Sequence, residues 1–263
     1  MGKSEIGFVP TMGNLHAGHL SLVTQSLNEN EITVVSIYVN PTQFSQSEDF
    51  GSYPRTLELD LEQLISLKRE NKTLYVFAPS SNKEIYPGEI ILKQATGPCN
   101  VLEGALRPGH FDGMITVVKR LFDIIKPKVA YFGKKDFQQY LIVKDMVENE
   151  NLPIKITGVE ISRDSNGLAR SSRNSYLTDK KKQEALKLFE TLNFVKEQYI
   201  TGCSNDVIQA IIEQILSSDK RFKYLELVDK INLEKPISQD QKLILLGNFQ
   251  IDQVKLIDNL ELS

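Results

Sequence analysis

The sequence has few cysteines and no excess of positive charge. Among its 263 residues are two cysteines, Cys99 and Cys203, which lie far apart and lack the spacing of a metal site. Two such cysteines argue against a disulfide framework and are typical of a reducing, cytoplasmic setting. The formal net charge is −3. Because nucleic-acid binding usually requires a strongly basic surface, we expect no nucleic-acid partner.

Long apolar runs are also missing. No segment approaches the ~18 apolar residues that a membrane-spanning helix requires. Residues 1–10 lack the apolar stretch of a signal peptide. We therefore expect no association with membranes. Hydrophobic residues form 41% of the chain, which is ordinary for a globular protein with one large core or two smaller ones.

Strand-like and helix-like segments alternate through the first part of the chain. The β-branched run Ile32–Val39 is typical of a strand buried on both faces, whereas leucines at helical spacing follow Thr56. This alternation predicts an α/β fold with a Rossmann-like, mainly parallel sheet, in which ligands bind beyond the carboxyl ends of the strands. The predicted strands are 6–10, 32–39, 73–78, 129–132 and 153–159, and the predicted helices are 15–27, 56–67, 117–125 and 139–147.

A polar segment rich in Ser and Arg, Ser162–Asn174, marks a change of organisation. We place a domain boundary there, with a first domain over residues 1–160 and a smaller C-terminal α/β domain over residues 161–263. The segment is typical of a flexible linker or of part of a lid. The predicted helices of the second domain are 179–199 and 205–216, and its predicted strands are 224–228, 242–246 and 253–257.

The turn between the first strand and the first helix carries the strongest local signal. Helix amino termini attract phosphate, Gly13 permits a tight turn, and His16 and His19 share one helix face. Two imidazoles there could stabilise charge on a phosphate. The structural alternative is a pair of histidines that cap or pack the helix. Zinc is a weaker interpretation, because no nearby Cys or carboxylate completes a ligand set.

Polar groups follow two further predicted strands. Asn40 and Gln43 come after Ile32–Val39, where their amides could bind hydroxyl and carboxylate groups or simply form a polar turn. Gly133, Lys135 and Asp136 follow the strand at 129–132. A lysine there suits phosphate, although a solvated charged turn is an equal alternative from spacing alone.

Two other motifs have both structural and functional interpretations. Thr56 could cap the helix that follows it, but a capping role leaves Tyr53 and Arg55 unexplained. Further along, Arg163, Arg170 and Arg173 form a basic cluster of a size suited to the phosphates of a nucleotide. Its neighbours Ser171 and Ser172 add two hydroxyl groups.

The stretch from Pro10 to His19 resembles the HxGH motif of nucleotidyltransferases and class I aminoacyl-tRNA synthetases. With VNPTQF, YPRT, GHFDGMITVV, FGKKDFQQ and NGLA-SSRN-YL, it resembles the pantothenate synthetase family from about Phe8 to Tyr176. The resemblance implies an ATP-dependent ligase that adenylates pantoate and joins it to β-alanine, with release of AMP and pyrophosphate. It also implies Mg²⁺ and a homodimer.

The resemblance further implies roles for individual residues. His19, His16 and Lys135 would be catalytic, Gln43, Gln139 and Asn40 would bind substrate, and Asp60 and Gln63 would neighbour Mg²⁺. The implied ATP contacts are Met12, Gly13, Asn14, Leu15, His16, Ala17, Gly18, His19, Gly133, Lys134, Lys135, Asp136, Ile161, Arg170, Ser171, Ser172 and Arg173.

Three departures and two alternatives accompany the resemblance. Arg170 stands where the family often has Met or Leu, Asn166 replaces a frequent Asp, and the chain before Phe8 is shorter than the family pattern. One alternative is another HxGH nucleotidyltransferase acting on a small cofactor precursor, which would not need the amides of Asn40, Gln43 and Gln139. The other is a non-catalytic nucleotide sensor, against which the intact histidines and Lys135 argue.

Overall fold

The computed structural model describes residues 5–45, 48–238 and 241–262. Packing divides the chain into two units. The first comprises Met1–Lys134 and Gln138–Glu160, and the second comprises Lys135–Phe137 and Ile161–Ser263. The second unit thus includes a short segment, Lys135–Phe137, which the sequence had placed in the first domain.

Five parallel strands form the sheet of the first unit, in the order β3-β2-β1-β4-β5. This arrangement confirms the predicted α/β class with a parallel sheet. The strands are β1 (Ile6–Thr11), β2 (Ile32–Ile37), β3 (Thr73–Phe77), β4 (Val129–Gly133) and β5 (Lys155–Val159).

Helices pack on both faces of this sheet. Successive side chains of β1 point to opposite faces, so neighbouring residues contact different helices. The helices are α1 (Ala17–Glu29), α2 (Leu57–Ile65), α3 (Asn82–Ile85), α4 (Glu103–Leu106), α5 (His110–Ile125) and α6 (Phe137–Asn149). Phe8 packs with buried residues of α5 and α6, whereas Val9 packs with Leu22 and Val23 of α1.

Helix α5 begins seven residues earlier than its predicted start at Val117. Phe111, Met114 and Ile115 are buried in the core and continue its apolar face towards the amino terminus. The sequence pattern did not predict this first part of the helix, because Gly109 and Gly113 have low helix propensity.

The order of the strands places a ligand-binding edge at β1. The chain runs from β1 through β2 to β3 on one side, and β4 then pairs with the other side of β1. Such a reversal opens a crevice at the carboxyl ends of the strands. The neighbouring parallel strands β1 and β2 end together at Thr11 and Ile37. The segments that follow these two residues therefore meet at one edge of the sheet.

The second unit has a three-stranded antiparallel sheet with the order β6-β7-β8. Its elements are α7 (Asp179–Ile200), α8 (Asn205–Ser218), β6 (Phe222–Asp229), β7 (Leu243–Ile251) and β8 (Val254–Glu261). Leu188 and Leu192 of the long helix α7 pack with Leu225, Leu245 and Phe249 of the strands. Within the residues described, no helix has the length and apolarity needed to cross a membrane.

Candidate active site

The loop between β1 and α1 has a left-handed backbone at two consecutive residues. Gly13 has φ +80° and Asn14 has φ +50°. A Cβ atom at Gly13 would meet Asp60 Oδ2 and Ile37 Cγ2 at 3.0 Å each, in a conformation that side chains disfavour. The loop therefore requires glycine at position 13 for both its conformation and its close packing.

Asp60 of α2 holds this loop in place. Its Oδ2 accepts the backbone N–H of Asn14 at 3.0 Å, and its Oδ1 accepts the backbone N–H of Leu15 at 2.7 Å. The carboxylate is fully buried, and Gln63 supports the same loop by donating to the Leu15 carbonyl at 3.3 Å. A buried carboxylate needs such partners, so Asp60 stabilises the loop across 45 residues of sequence.

The expected role of Asp60 and Gln63 beside Mg²⁺ stays a prediction. Both carboxylate oxygens of Asp60 already accept backbone N–H groups. The described part of the chain also contains no group of three or more His, Cys, Asp or Glu side chains that could hold a metal. The structure shows both residues as supports of the loop.

The amino terminus of α1 presents backbone N–H groups at the end of β1. His16 is the N-cap residue, and its Nδ1 accepts the N–H of Gly18 at 3.1 Å. Because Nδ1 is the acceptor, the proton of a neutral His16 lies on Nε2. The first turn of the helix itself contains no acidic residue.

His16 and His19 lie together, as their spacing predicted. Their ring centroids are 4.1 Å apart with an interplanar angle of 38°. The cap made by His16 confirms part of the structural alternative, yet only one of its ring nitrogens is used by the cap. Cap and ligand contact are therefore compatible in the same imidazole, and the pair suits an anion at the helix terminus.

Asn40 is buried completely and forms the base of the turn that carries Gln43. Its Nδ2 donates to Gln43 Oε1 at 3.2 Å and to the Gly113 carbonyl at 3.1 Å. Its Oδ1 accepts from the Thr42 hydroxyl at 3.0 Å and the Tyr86 hydroxyl at 3.2 Å. These internal partners occupy its amide, and the expectation that Asn40 binds substrate stays a prediction.

Gln43 ends the 3₁₀ turn Pro41–Gln43 that follows β2. Its Nε2 lies 3.0 Å from Met12 Sδ, which connects it to the loop after β1. Thioether sulfur is a weak acceptor, so a stronger acceptor can replace it as the partner of this N–H. Gln43 is the amide of this turn that remains suited to a ligand.

The amino terminus of α5 supports this turn through residues to which the sequence gave no individual role. His110 Nδ1 lies 2.7 Å from the Gln43 carbonyl oxygen, and Arg107 Nη1 lies 3.0 Å from His110 Nε2. A Cβ at Gly113 would lie 2.0 Å from the Thr42 carbonyl oxygen, which excludes any larger residue there. The signal was present in GHFDGM, where two glycines flank a helix start.

Tyr53 and Arg55 have structural partners in the next segment. Tyr53 is buried and packs edge-on against Phe44, with 5.8 Å between ring centroids. Arg55 donates to the Tyr53 and Phe50 carbonyls at 3.1 and 3.3 Å. Thr56 is the N-cap of α2 by position but makes no capping bond, and its hydroxyl instead donates to Asp60 at 3.3 Å.

The two glutamines at the start of α6 differ in their surroundings. Gln138 is buried, accepts the Glu103 N–H at 3.1 Å and donates to the Pro98 and Val101 carbonyls. Gln139 is half-buried, and its side chain forms no hydrogen bond within the described residues. Gln138 is therefore a packing residue, whereas Gln139 retains a full set of donors and acceptors for a ligand.

Lys135 belongs to the second unit, where β8 holds its backbone. Asn259 Nδ2 donates to the Lys135 carbonyl at 3.0 Å, and the Lys135 ammonium lies 3.6 Å from Asp136 Oδ1. A Cβ at Gly133, two residues before Lys135, would meet no atom within 4 Å. The glycine thus leaves open space beside the carboxyl end of β4.

Arg163 differs from the other arginines of the predicted basic cluster. Its guanidinium makes two bonds to the buried Asp258, at 2.5 and 2.8 Å, and lies over the Phe189 ring at 4.2 Å. It therefore packs within the second unit, which corrects its proposed part in a phosphate-binding cluster. The Arg170 side chain has no hydrogen bond or ion pair within the described chain.

Ser171 begins the short 3₁₀ helix Ser172–Tyr176. Its hydroxyl accepts the backbone N–H of Arg173 at 3.3 Å, and the Asn174 side chain donates to the Ala169 carbonyl at 3.0 Å. These bonds fix the course of a segment that sequence analysis left open as a linker. Ile161, at the start of this unit, is half-buried.

Comparison with known proteins identifies the family. The model of the family described as "Pantoate-beta-alanine ligase" matches residues 1–261. The chain belongs to this ligase family. This membership confirms the resemblance drawn from the sequence motifs and argues against the two alternatives considered beside it, the nucleotidyltransferase for another precursor and the non-catalytic sensor.

Relatives in the ligase family match almost the whole chain. The pantothenate synthetase of Oceanobacillus iheyensis is 45% identical over an alignment of 268 residues, gaps included. The alignment covers 98% of this chain and 91% of the relative. The crystal structure of the pantothenate synthetase from Thermus thermophilus has a TM-score of 0.91 and 40% identity, and covers 98% of this chain and 94% of that chain.

A third ligase structure was solved with ligands. The Francisella tularensis pantoate-β-alanine ligase, complexed with "Beta-gamma ATP" and β-alanine, has a TM-score of 0.78 and 35% identity, covering 99% of this chain and 91% of that chain. Within the first unit of the present ligase, the structure brings together the loop after β1, the helix terminus with its histidines, and Gln43. These are the groups that the motifs singled out.

Proposed function

We propose that this ligase joins pantoate to β-alanine at the expense of ATP, through a pantoyl adenylate. The observation that carries this proposal is the amino terminus of α1, where a buried Asp60 holds the preceding loop and His16 caps the helix. The amino terminus of a helix beside two imidazoles suits the phosphates of a nucleotide. The Francisella tularensis relative, complexed with an ATP compound and β-alanine, supports the choice of substrates.

The chemistry explains why ATP is consumed. A carboxylate is a poor acyl donor because its leaving group would be oxide. In the first step a pantoate carboxylate oxygen attacks the α-phosphorus of ATP, and the bond to pyrophosphate breaks. In the second step the amine of β-alanine attacks the acyl carbon, the C–O bond to AMP breaks, and the amine loses a proton. No serine or cysteine nucleophile is required.

The first unit supplies groups for the adenylation step. We propose that the backbone of Met12, Gly13, Asn14, Leu15, Ala17 and Gly18 lies against ATP, with His16 donating from Nε2. His19 stabilises charge that develops on the phosphates as the α-phosphorus is attacked. Removal of one such donor typically lowers kcat about 10²–10³-fold.

Two amides are the proposed contacts for pantoate. Gln43 Nε2 lies 3.0 Å from the Met12 thioether, a weak acceptor that a hydroxyl or carboxylate oxygen of pantoate would improve upon. Gln139 has no side-chain bond within the described residues to give up. Both can therefore bind a polar substrate without losing a strong internal hydrogen bond from their N–H groups.

We propose nucleotide contacts for residues of the second unit, and for Gly133 and Lys134 at the carboxyl end of β4. Lys135 offers a point charge for phosphate, and Arg170 carries a guanidinium without an internal partner among the described residues. The other proposed contacts are Gly133, Lys134, Asp136, Ile161, Ser171, Ser172 and Arg173. Lys134 is paired with Glu160, so its share is the smallest.

Mg²⁺ is proposed to accompany ATP. Protein sites for this ion commonly supply one or two carboxylates, and substrate phosphates and water complete the octahedron. Asp60 and Gln63, which hold the loop that we propose to contact the phosphates, are the proposed neighbours of the ion.

We also propose a cytoplasmic homodimer. The edge strand β3 exposes 58% of Tyr75, and α2 exposes Leu59 and Ile65 to a similar degree. Apolar side chains around an unpaired sheet edge are suited to a second copy of the chain. Light scattering on the purified protein should give twice the chain mass, and a monomeric mass would contradict this part of the proposal.

A product assay tests the proposed function. The protein is incubated with ATP, pantoate and β-alanine, and the nucleotides are separated. We expect AMP, pyrophosphate and an amide product in equal amounts, and none of them when pantoate is omitted. Formation of ADP and phosphate would contradict the adenylate route, and nucleotide cleavage without pantoate would contradict the substrate.

A further inference from the structure

A row of three hydrogen-bonded side chains, Glu48, Arg107 and His110, leads to the backbone of Gln43 and takes no direct part in the proposed chemistry. Glu48 Oε1 accepts from Arg107 Nε at 2.6 Å, and Arg107 Nη1 lies 3.0 Å from His110 Nε2. His110 Nδ1 then lies 2.7 Å from the Gln43 carbonyl oxygen. The row thus runs from a carboxylate to the backbone of the proposed pantoate-binding residue.

These side chains are largely withdrawn from solvent. The Arg107 and Glu48 side chains are 14% and 13% exposed, and His110 is buried. Burial alone would raise the pKa of Glu48. The backbone hydrogen bond from Ser45, the charge and hydrogen bond of Arg107, and the charge that His110 carries when protonated outweigh it and hold that pKa below its usual range. Glu48 is therefore ionised at neutral pH and fixes the guanidinium.

The partners of His110 determine its protonation state. A carbonyl oxygen can only accept, so His110 Nδ1 carries a proton for Gln43. A guanidinium can only donate, so Nε2 faces Arg107 without a proton. These two contacts favour the neutral imidazole with its proton on Nδ1, because a proton on Nε2 would face the N–H groups of Arg107.

We propose that His110 is a positioning residue that sets the backbone of Gln43, and through it the pantoate-binding amide, with Arg107 and Glu48 fixing its tautomer. The proposal rests on the assignment of Gln43 to pantoate. The 3₁₀ turn that carries Gln43 also packs closely against α5, since a Cβ at Gly113 would lie 2.0 Å from the Thr42 carbonyl oxygen. A small shift of α5 is therefore transmitted to the turn, and displacements near 1 Å can cost about a hundredfold in rate.

Two substitutions at His110 separate its two ring nitrogens. His110→Asn keeps an amide N–H near the position of Nδ1, and His110→Gln keeps a polar group near Nε2 but removes the donor to Gln43. We expect His110→Gln to raise the KM for pantoate about tenfold or more, with the KM for ATP within about twofold of wild type. His110→Asn should stay within about threefold for both substrates.

The control on the same helix is Asp123→Asn, which alters an exposed pair with Lys119 and should leave both KM values unchanged. A double-mutant cycle with Gln43→Ala adds a test of mechanism. If His110 acts through Gln43, His110→Gln should have no further effect on pantoate KM in that background. Multiplicative effects, or equal effects of the Asn and Gln variants, would overturn the proposal.

Nitrogen NMR on the unmodified protein covers the case in which a variant fails to fold. The chain has 3 histidines, so ¹⁵N-histidine spectra are assignable by single replacements. We expect His110 to have a protonated Nδ1 and a bare Nε2 near neutral pH. The opposite tautomer would overturn the proposal. A wild-type protein that makes no amide product would instead defeat the proposed function.

Discussion

The carboxylate of Asp60 accepts the backbone N–H of Leu15 at 2.7 Å and that of Asn14 at 3.0 Å. Helix α2 thereby fixes the loop that leads into α1. Asp60→Asn should disrupt this arrangement, because an amide offers one acceptor oxygen and would turn N–H groups towards a backbone N–H. We expect a loss of about 1.5–3 kcal/mol in the free energy of unfolding.

The Asp60→Asn variant should also bind ATP less tightly and show a higher KM for ATP, because the loop carries the proposed phosphate contacts. Glu58→Gln is a matched control, because Glu58 is an exposed acid on the same helix. Urea unfolding and steady-state kinetics would check both effects. Unchanged stability and ATP kinetics in Asp60→Asn would contradict the loop-support role.

His19 is predicted to act in the chemical step. His19→Ala should lower kcat about 10²–10³-fold while the protein remains folded, because one charge-stabilising group is lost in the transition state. Single-turnover kinetics and circular dichroism would test this. Turnover near that of wild type would support packing as the only role of this imidazole.

Gln43 and Lys135 are predicted to serve different substrates. Gln43→Ala should weaken pantoate more than ATP, and Lys135→Ala should weaken ATP more than pantoate and impair adenylate formation. A lost hydrogen bond to a charged group corresponds to about 1.5–3 kcal/mol, or about ten- to a hundredfold in affinity. Calorimetric titrations of each ligand into each variant would measure this. Equal losses for both ligands would contradict the assignment.

The lowered pKa of Glu48 leads to a prediction about pH. A carboxyl group whose pKa is lower in the folded state stabilises the fold above its unfolded pKa, about 4.3, and this contribution disappears as the pH falls through the folded value. Glu48→Gln should therefore be less stable than wild type at pH 7. The difference should shrink steadily below about pH 4.

Thermal unfolding of both proteins across this pH range provides the measurement for Glu48. The exposed Glu58→Gln variant again serves as the control, because it removes a carboxylate that is not paired with Arg107. A gap between Glu48→Gln and wild type that stays constant from about pH 7 to below about pH 4 would show that the Glu48–Arg107 pair does not contribute through ionisation.

Local patterns were sufficient for much of the first unit. The continuous β-branched residues of Ile32–Ile37 and the leucines of α2 depend on periods that are visible within about ten residues, and the parallel sheet follows from their alternation. The start of α5 at His110 was not predictable in this way. Glycine is locally unfavourable in helices, and the advantage of Gly113 comes from a contact with Thr42, 71 residues away.

Hydrogen-bond partners far along the chain were the part of the site that sequence analysis could not predict. Arg163 looked like a phosphate ligand because its partner, Asp258, lies 95 residues further along the chain. Asn40 looked like a substrate contact because nothing local indicates its bonds to Gly113 and Tyr86. In both cases the side chain has the chemistry of a ligand contact, and its long-range partners are visible only in the structure.

Isotope transfer tests the central claim, the pantoyl adenylate, most directly. Pantoate labelled with ¹⁸O in its carboxylate is incubated with the enzyme, ATP and β-alanine, and the nucleotide product is examined by mass spectrometry. Because the attacking carboxylate oxygen stays on phosphorus when the amine displaces AMP, we predict one ¹⁸O atom in each AMP. Unlabelled AMP, or ¹⁸O found in inorganic phosphate, would contradict the adenylate route.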